Sequence, residues 1–316
     1  MSLYLLKNQR IIINTDLDGL ISGLLLTNFC NCEVVGFTNS SDAIWINKNK
    51  SKSVFDAVYV DMFVLDKNVI TLDQHIVSLN ENHHKLLIEN KNKINPNFDN
   101  PRYHLPNDSY FSKYPFGTVH YLIALFNKEG ILLPHFNIDA IIEAKFNFKD
   151  FLLRADDAMN TTVVKYPVNA ENWWSWLINF SNDSQFILQL VDYLKTLNEQ
   201  DVLNKKNFTT TYLKTNFKCD TPDGGFKNIL DVSGNLKQNI LNYFSFIAQS
   251  CNLKNFEIEN TTFTKISGVN ERIQLSDLQK KELIENETIN NEIVFSYACV
   301  KTNSKTENFS YTILTE

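Results

Sequence analysis

The sequence predicts an α/β fold, a parallel sheet flanked by helices, with a second, smaller α+β domain behind it. Three observations carry this. Short apolar runs at Ile11–Asn14, Glu33–Phe37, Ala57–Val60 and Val69–Leu72 are separated by stretches of helix or loop length. Runs of this kind, rich in Val and Ile and without polar alternation, are the pattern of parallel strands covered on both faces. The 201–228 segment then loses its periodicity and carries the chain's one Gly-Gly pair. Beyond it, runs near 256–265, 292–301 and 307–314 read as strands, the last two as an antiparallel hairpin. The expected boundaries are an α/β domain over 1–200, a linker over 201–225 and an α+β domain over 226–316.

Each element has its local reason. Leu20–Phe29 is apolar at nearly every position, which predicts a buried helix. NSSDAIWINKNKSKS reads as a polar loop with solvated lysines, and NPNFDNPRYHLPNDS (95–109) as a long surface loop. Thr118–Phe126, Asp139–Ala158, Glu171–Leu194 and Ile240–Cys251 read as helical. No internal repeat is present.

The 316 residues are 43% hydrophobic and carry a formal charge of −6. An acidic chain is a poor binder of long duplex DNA, because that binding rests on Lys and Arg displacing counterions. A small phosphorylated substrate or short oligonucleotide fits better. The five cysteines have no zinc-site spacing and read as free thiols. The opening MSLYLLKNQR lacks a leader pattern, and no apolar run is long enough to span a membrane. A cytoplasmic protein without a membrane partner is expected; the oligomeric state is open.

In open α/β sheets, ligands bind beyond the carboxyl ends of the strands. Three strands here end in polar residues. IIIN leads into Asn14, Asp16 and Asp18, AVYV into Asp61, and VITL into Asp73, Gln74 and His75. Carboxylates gathered at one mouth repel one another unless they share divalent cations. A strand-end aspartate can instead cap the next helix, and Asp18 ahead of the Leu20 helix fits that plainer role. An EF-hand loop is excluded because its twelfth position would be Leu25. A haloacid-dehalogenase-type phosphatase with Asp16 as nucleophile is a competitor, with Asp156–Asp157 as its late acidic pair.

The motifs resemble those of the DHH phosphoesterase superfamily, which includes RecJ-like exonucleases, oligonucleotide and cyclic-dinucleotide phosphodiesterases and family II inorganic pyrophosphatases. Its H-x-D-x-D-G is matched by Asn14-Thr15-Asp16-Leu17-Asp18-Gly19, its lone second-motif Asp by Asp61, and its Asp-His-His by Asp73-Gln74-His75. Asp156 or Asp157 stands where a fourth acidic motif would be. The resemblance covers residues 11 to about 160 and makes 1–200 a DHH-like domain. It implies a Mg²⁺- or Mn²⁺-dependent hydrolase with Asp16, Asp18, Asp61 and Asp156 as ligands and Asp61 bridging. His75 would contact the substrate phosphate. The two family histidines that bind metal are replaced by Asn14 and Gln74, whose carboxamides offer an oxygen but no imidazole nitrogen. That favours an oxygen-rich Mg²⁺ site, or a non-catalytic binding or scaffold protein.

The C-terminal part lacks the family's Gly-Gly-Gly-His loop, so substrate selection is expected to rest elsewhere. NWWSW (172–176) could stack bases, though packing of the tryptophans is favoured. Arg102, His104 and Lys113 are candidates for phosphate contact against simple solvation. His83-His84 is expected on an exposed helix face, and DGGF (223–226) as a turn in the linker.

Overall fold

The computed structural model describes residues 3–100, 113–131, 139–144, 146–155, 167–258, 261–303 and 306–315. It is an α/β protein built on a nine-stranded mixed sheet flanked by helices. Strand β1 (Arg10–Asn14) leads into helix α1 (Leu17–Phe29), and β2 (Glu33–Thr38) returns parallel to β1. β3 (Ala43–Ile46) pairs antiparallel with β2. It lies within the stretch expected as a polar loop, because AIWI is a run of four buried residues between polar flanks. β4 (Val58–Val60), β5 (Thr71–Leu72) and β6 (Lys93–Ile94) add in parallel on the other side of β1. Helix α2 (Glu81–Glu89) and the short α3 (Pro96–Asp99) bracket β6.

Helix α1 is buried from Leu17 to Leu26, as its all-round apolar sequence requires. It begins three residues earlier than expected, and its cap is Asp16, which accepts the Gly19 amide at 3.0 Å, not Asp18. A Cβ on Gly19 would lie 2.4 Å from the Asn14 carbonyl oxygen, so only glycine lets α1 start this close to β1. Helix α4 (Thr118–Lys128) packs beside α1 in the same core.

The expected 139–158 helix is instead a two-stranded hairpin, β7 (Ile141–Glu143) and β8 (Phe146–Asn147), followed by the short α5 (Phe148–Leu152). Asn147 caps that helix, and its N–H donates to Asp150. The expected 171–194 helix is two, α6 (Pro167–Phe180) and α7 (Gln185–Lys195), separated where Asn182 and Asp183 take left-handed φ of 56° and 59°. Most of the expected 201–225 linker is helix α8 (Glu199–Phe217), capped by Asn198. Its few buried residues, Val202, Thr209, Leu213 and Phe217, lie along one face, too sparse a stripe to show as periodicity. Helix α9 (Gln238–Ser250) follows and joins the same core as α1.

The expected strand near 256–265 lies further on, as β9 (Thr264–Ile273). Helix α10 (Asp277–Asn286) and the β10 (Thr288–Ile289) and β11 (Glu292–Ile293) hairpin precede β12 (Ser296–Asn303) and β13 (Thr306–Thr315). The last two form the expected antiparallel hairpin. β9 pairs antiparallel with both β3 and β13, giving the order β12-β13-β9-β3-β2-β1-β4-β5-β6. The C-terminal strands therefore extend the same sheet. The sheet curls until its far end meets the segment after β5. The Cys299 amide donates to the Ile76 carbonyl at 2.9 Å, and the Tyr297 hydroxyl to the Val77 carbonyl at 2.6 Å. A second core, including Phe63, Leu65, Ile76 and Val77 with Phe309 and Tyr311, fills this junction and covers an otherwise open strand edge.

His83 and His84 are buried, contrary to the exposed face expected of them. The His83 Nδ1 accepts the Leu79 amide, and the His84 Nδ1 lies 2.8 Å from the Ser78 hydroxyl. His120, wholly buried in α4, accepts the Gly117 amide through Nδ1. Burial pushes His83 and His120 down from 6.5 to about 4. Between those values the unfolded chain takes up protons that the folded chain refuses. Stability is therefore full above pH 6.5 and falls as the pH drops towards 4. Urea unfolding at pH 7 and pH 5 is expected to differ by roughly 2 kcal/mol for each of these histidines. His83→Asn, whose amide can still accept the Leu79 N–H, should remove one share of that difference.

Candidate metal centre

The parallel strands run in the order β2-β1-β4-β5-β6, so the sheet reverses its winding between β1 and β4. That switch point leaves a crevice beyond the strand ends. A cleft of ≈ 760 Å³ lies there, lined among others by Asn14, Asp16, Asp18, Asp61, Gln74 and His75. The candidate metal ligands Asn14, Asp16, Asp18, Asp61 and Gln74 and the phosphate candidate His75 therefore line one cavity, whereas Lys113 is buried and is not among its lining residues. Asp156 and Asp157 lie outside the described residues, as do Arg102 and His104.

Asp61 follows β4 directly and takes a left-handed φ of 62°, a conformation aspartate tolerates better than most side chains. Its amide donates to the Leu72 carbonyl, which fixes the turn against β5. One carboxylate oxygen accepts the Thr118 hydroxyl at 3.0 Å, the other the Asn14 side-chain amide at 3.0 Å. The same Asn14 nitrogen donates to Asp16 at 2.7 Å. One carboxamide thus bridges the half-buried Asp16 and the buried Asp61.

Asp73 and His75 form the other half. The His75 Nδ1 lies 2.6 Å from one Asp73 oxygen, and the His75 amide donates to the other at 3.1 Å. Ligand atoms of Asp61, Asp73 and His75 all lie within 4.8 Å of one another, close enough to share a cation. Gln74 lines the same cleft, is 3% exposed, and its side-chain oxygen has no hydrogen-bond partner among the described residues. A buried acceptor with both lone pairs unused costs about 1–3 kcal/mol, which a cation would recover. Asn95 and Asn97 brace this turn, donating to the His75 and Gln74 carbonyls.

The charges reflect this crowding. Burial, then Asp61 and Asp223, hold Asp16 well above the usual carboxylate range. Burial and Asp73 push Asp61 up to about 6, against the opposing pull of His75. Burial alone would lower His75, but the Asp73 charge and hydrogen bond, with Asp61, raise it to about 9. His75 is thus an imidazolium at neutral pH, with Nδ1 committed to Asp73. The Asp61, Asp73 and His75 ligand atoms are close enough that the cluster could hold a metal ion.

Asp18 has a different attachment. Its two oxygens accept the Thr118 and Val119 amides, each at 2.7 Å, at the start of α4. It therefore caps a helix one hundred residues away in the chain.

The DGGF turn proves to be part of the cleft. The Leu17 amide donates to the Asp223 carbonyl at 3.0 Å, and the Phe226 amide to the Thr15 hydroxyl at 3.2 Å. Asp223 and Arg272 are cleft residues that no sequence motif marks. The only local signal for Asp223 is the turn sequence TPDGG; for Arg272 there is none. In NWWSW, Trp173 and Trp174 are buried against Tyr114 and Phe116, with Trp174 stacked on Phe116 at 3.7 Å between centroids. All five cysteines are free and buried. Among the described residues no helix is long and apolar enough to cross a membrane. Compared with known proteins, the chain matches no family model, no curated protein and no solved structure.

Proposed function

We propose that this protein is a divalent-metal-dependent phosphoesterase acting on the phosphodiester or phosphoanhydride of a short oligonucleotide or nucleotide-derived substrate. The observation that carries the reading is the Asp61–Asp73–His75 cluster with the orphaned Gln74 oxygen, set at the switch point of the parallel strands. Asp61, Asp73 and Gln74 would hold Mg²⁺ or Mn²⁺. The cation, when bound, would acidify a water and offset charge on the phosphate. His75, kept protonated by Asp73, has Nε2 to offer a phosphate oxygen. The exposed Arg272 and Lys227 line the same cleft, and neither side chain pairs with another among the described residues. They provide positive charge at the rim for a second anionic group of the substrate.

Hydrolysis of bis(p-nitrophenyl) phosphate with Mn²⁺ tests this. Activity should appear with the metal and vanish with EDTA and in Asp73→Asn. Failure of the wild type to turn over while still binding Mn²⁺ would favour the second reading, a non-catalytic binding protein on the same scaffold. That reading draws support from Asn14, which satisfies Asp16 and Asp61 by hydrogen bonds alone. A dehalogenase-type nucleophile at Asp16 has less support, since both its oxygens already accept hydrogen bonds, from Asn14 and from Gly19. Arg272→Gln is expected to raise KM about tenfold with kcat little changed, as for loss of one charge-assisted contact at a rim. An unchanged KM would remove Arg272 from substrate binding.

A further inference from the structure

We propose that a side hollow of the cleft, walled by the C-terminal strands, is a nucleoside subsite, which makes the substrate a nucleotide phosphodiester and not an inorganic polyphosphate. The proposal rests on the phosphoesterase reading of the adjoining Asp61–Asp73–His75 cluster.

The hollow, ≈ 250 Å³, opens off the cleft, and Ser41, Asp61, His75 and Arg272 line both. Its wall is one face of β9, β13 and β12. In their register Arg272 stands opposite Ser310 and Ser310 opposite Ala298. Asn270 stands opposite Thr312 and Thr312 opposite Ser296. Two rows of side chains thus cross the three strands on a single face, since alternate residues of a strand point the same way. The intervening Tyr297, Cys299, Phe309 and Tyr311 turn to the second core. The short side chains of Ser296, Ala298, Ser310 and Thr312 leave open the space that the curled sheet encloses.

The chemistry of the wall selects its occupant. Among the residues lining the hollow, Asp61, His75 and Arg272 are the acidic and basic ones, and each also lines the cleft. The rest of the hollow is neutral and rich in hydroxyls. A polyphosphate entering it would need several cations to replace its water. A sugar or a base needs hydrogen bonds and an apolar surface, and Met62 and Phe63 add the surface. Pockets for drug-sized ligands run to about 300–1,000 Å³, so the hollow suits one such group and not a chain of nucleotides.

The wall is held ready. The Asn270 side-chain nitrogen donates to the Ser310 and Thr312 hydroxyls at 3.0 and 3.1 Å, and the Thr312 hydroxyl donates to the Ser41 carbonyl at 2.6 Å. The Ser296 hydroxyl is left over. Ser296 is 6% exposed and lines the hollow, and its hydroxyl has no hydrogen-bond partner among the described residues. A hydroxyl so buried gains from a polar group brought to it.

The test is binding, on the full-length chain with Mn²⁺. Calorimetric titrations with each of the four common nucleoside 5′-monophosphates, inorganic phosphate and pyrophosphate are compared. At least one nucleotide should bind about tenfold or more tighter than either inorganic anion. Pyrophosphate binding as tightly as the best nucleotide, or no nucleotide binding at millimolar concentration, would overturn the proposal. In Ala298→Phe the ring fills the hollow, and the ratio of nucleotide to phosphate affinity should fall about tenfold. A folded Ala298→Phe with the wild-type ratio would also overturn it. Should that variant not fold, Ser296→Ala decides. Loss of one hydrogen bond to the nucleoside should lower the ratio about threefold or more, and an unchanged ratio counts against the subsite. The phosphoesterase reading fails separately, through absence of Mn²⁺-dependent turnover of bis(p-nitrophenyl) phosphate. A nucleotide preference without that turnover would keep the subsite and make the protein a nucleotide binder.

Discussion

Asp61→Asn is expected to lose divalent-metal binding and to unfold at a higher urea concentration than the wild type. The two effects have one cause. Asp61 is 3% exposed, lies within reach of Asp73, and is pushed up from the ordinary 3.8 to about 6. An acid whose folded value lies above its unfolded one costs stability once the pH exceeds both. The cost is absent below the unfolded value and complete above the folded one. At pH 7 that cost is on the order of 3 kcal/mol. Asparagine removes the charge, keeps the shape, and tolerates the left-handed backbone at this position. One of the hydrogen bonds from Asn14 or Thr118 is lost in exchange, worth about 1 kcal/mol. The net gain should be roughly 1–2 kcal/mol. The same change removes the carboxylate that approaches both Asp73 and His75. A variant that is less stable and still binds Mn²⁺ would show that Asp61 is structural. Stability gained by removing an acid, together with function lost, is the signature of a site kept under electrostatic strain for a ligand.

Asp18→Ala should do the reverse. Asp18 is 1% exposed, and its carboxylate holds the Thr118 and Val119 amides at the start of α4. Those donors have no intrahelical partner, and the helix end is positive. Alanine leaves both amides buried without acceptors. It also opens a void beside Gly117, where the fit is so close that a Cβ added to that glycine would stand only 2.6 Å from an Asp18 oxygen. The expected loss is about 3–5 kcal/mol, read as a lower urea midpoint. A change within about 1 kcal/mol would show that α4 is held by its apolar face alone. The pair of variants separates two aspartates that sequence motifs present as equivalent. Asp18 joins α1 to α4, and Asp61 serves the cavity.

Much of the candidate site was legible because strand ends are local signals. IIIN, VYV and TL are apolar up to the last residue or nearly so, and the first polar residues after them must emerge at the strand mouth. Asp16, Asp61, Asp73 and His75 could be placed on that ground. The α1 helix was equally plain, since a segment apolar on every side has only the interior to occupy. Helix α8 and strand β3 were hidden for opposite reasons. The first buries so little that its stripe is faint, and the second is too short to stand out from its polar flanks.

The sequence by itself determined the parallel strands β1, β2, β4 and β5, the acids at their ends and a C-terminal hairpin near 292–314, because each follows from side-chain patterning within a few residues. Only the tertiary structure decided what each acid does. Asp18 found its amides one hundred residues away, Asp223 came to the cleft from the loop before α9, and β9 joined the sheet beside β3. Hydrogen-bond partners and charge neighbours are set by contacts between distant segments, and no local pattern records them. That is why Asn14 and Gln74, both amides beside the same cleft, differ: Asn14 donates to Asp16 and Asp61, and the buried Gln74 oxygen has no hydrogen-bond partner among the described residues.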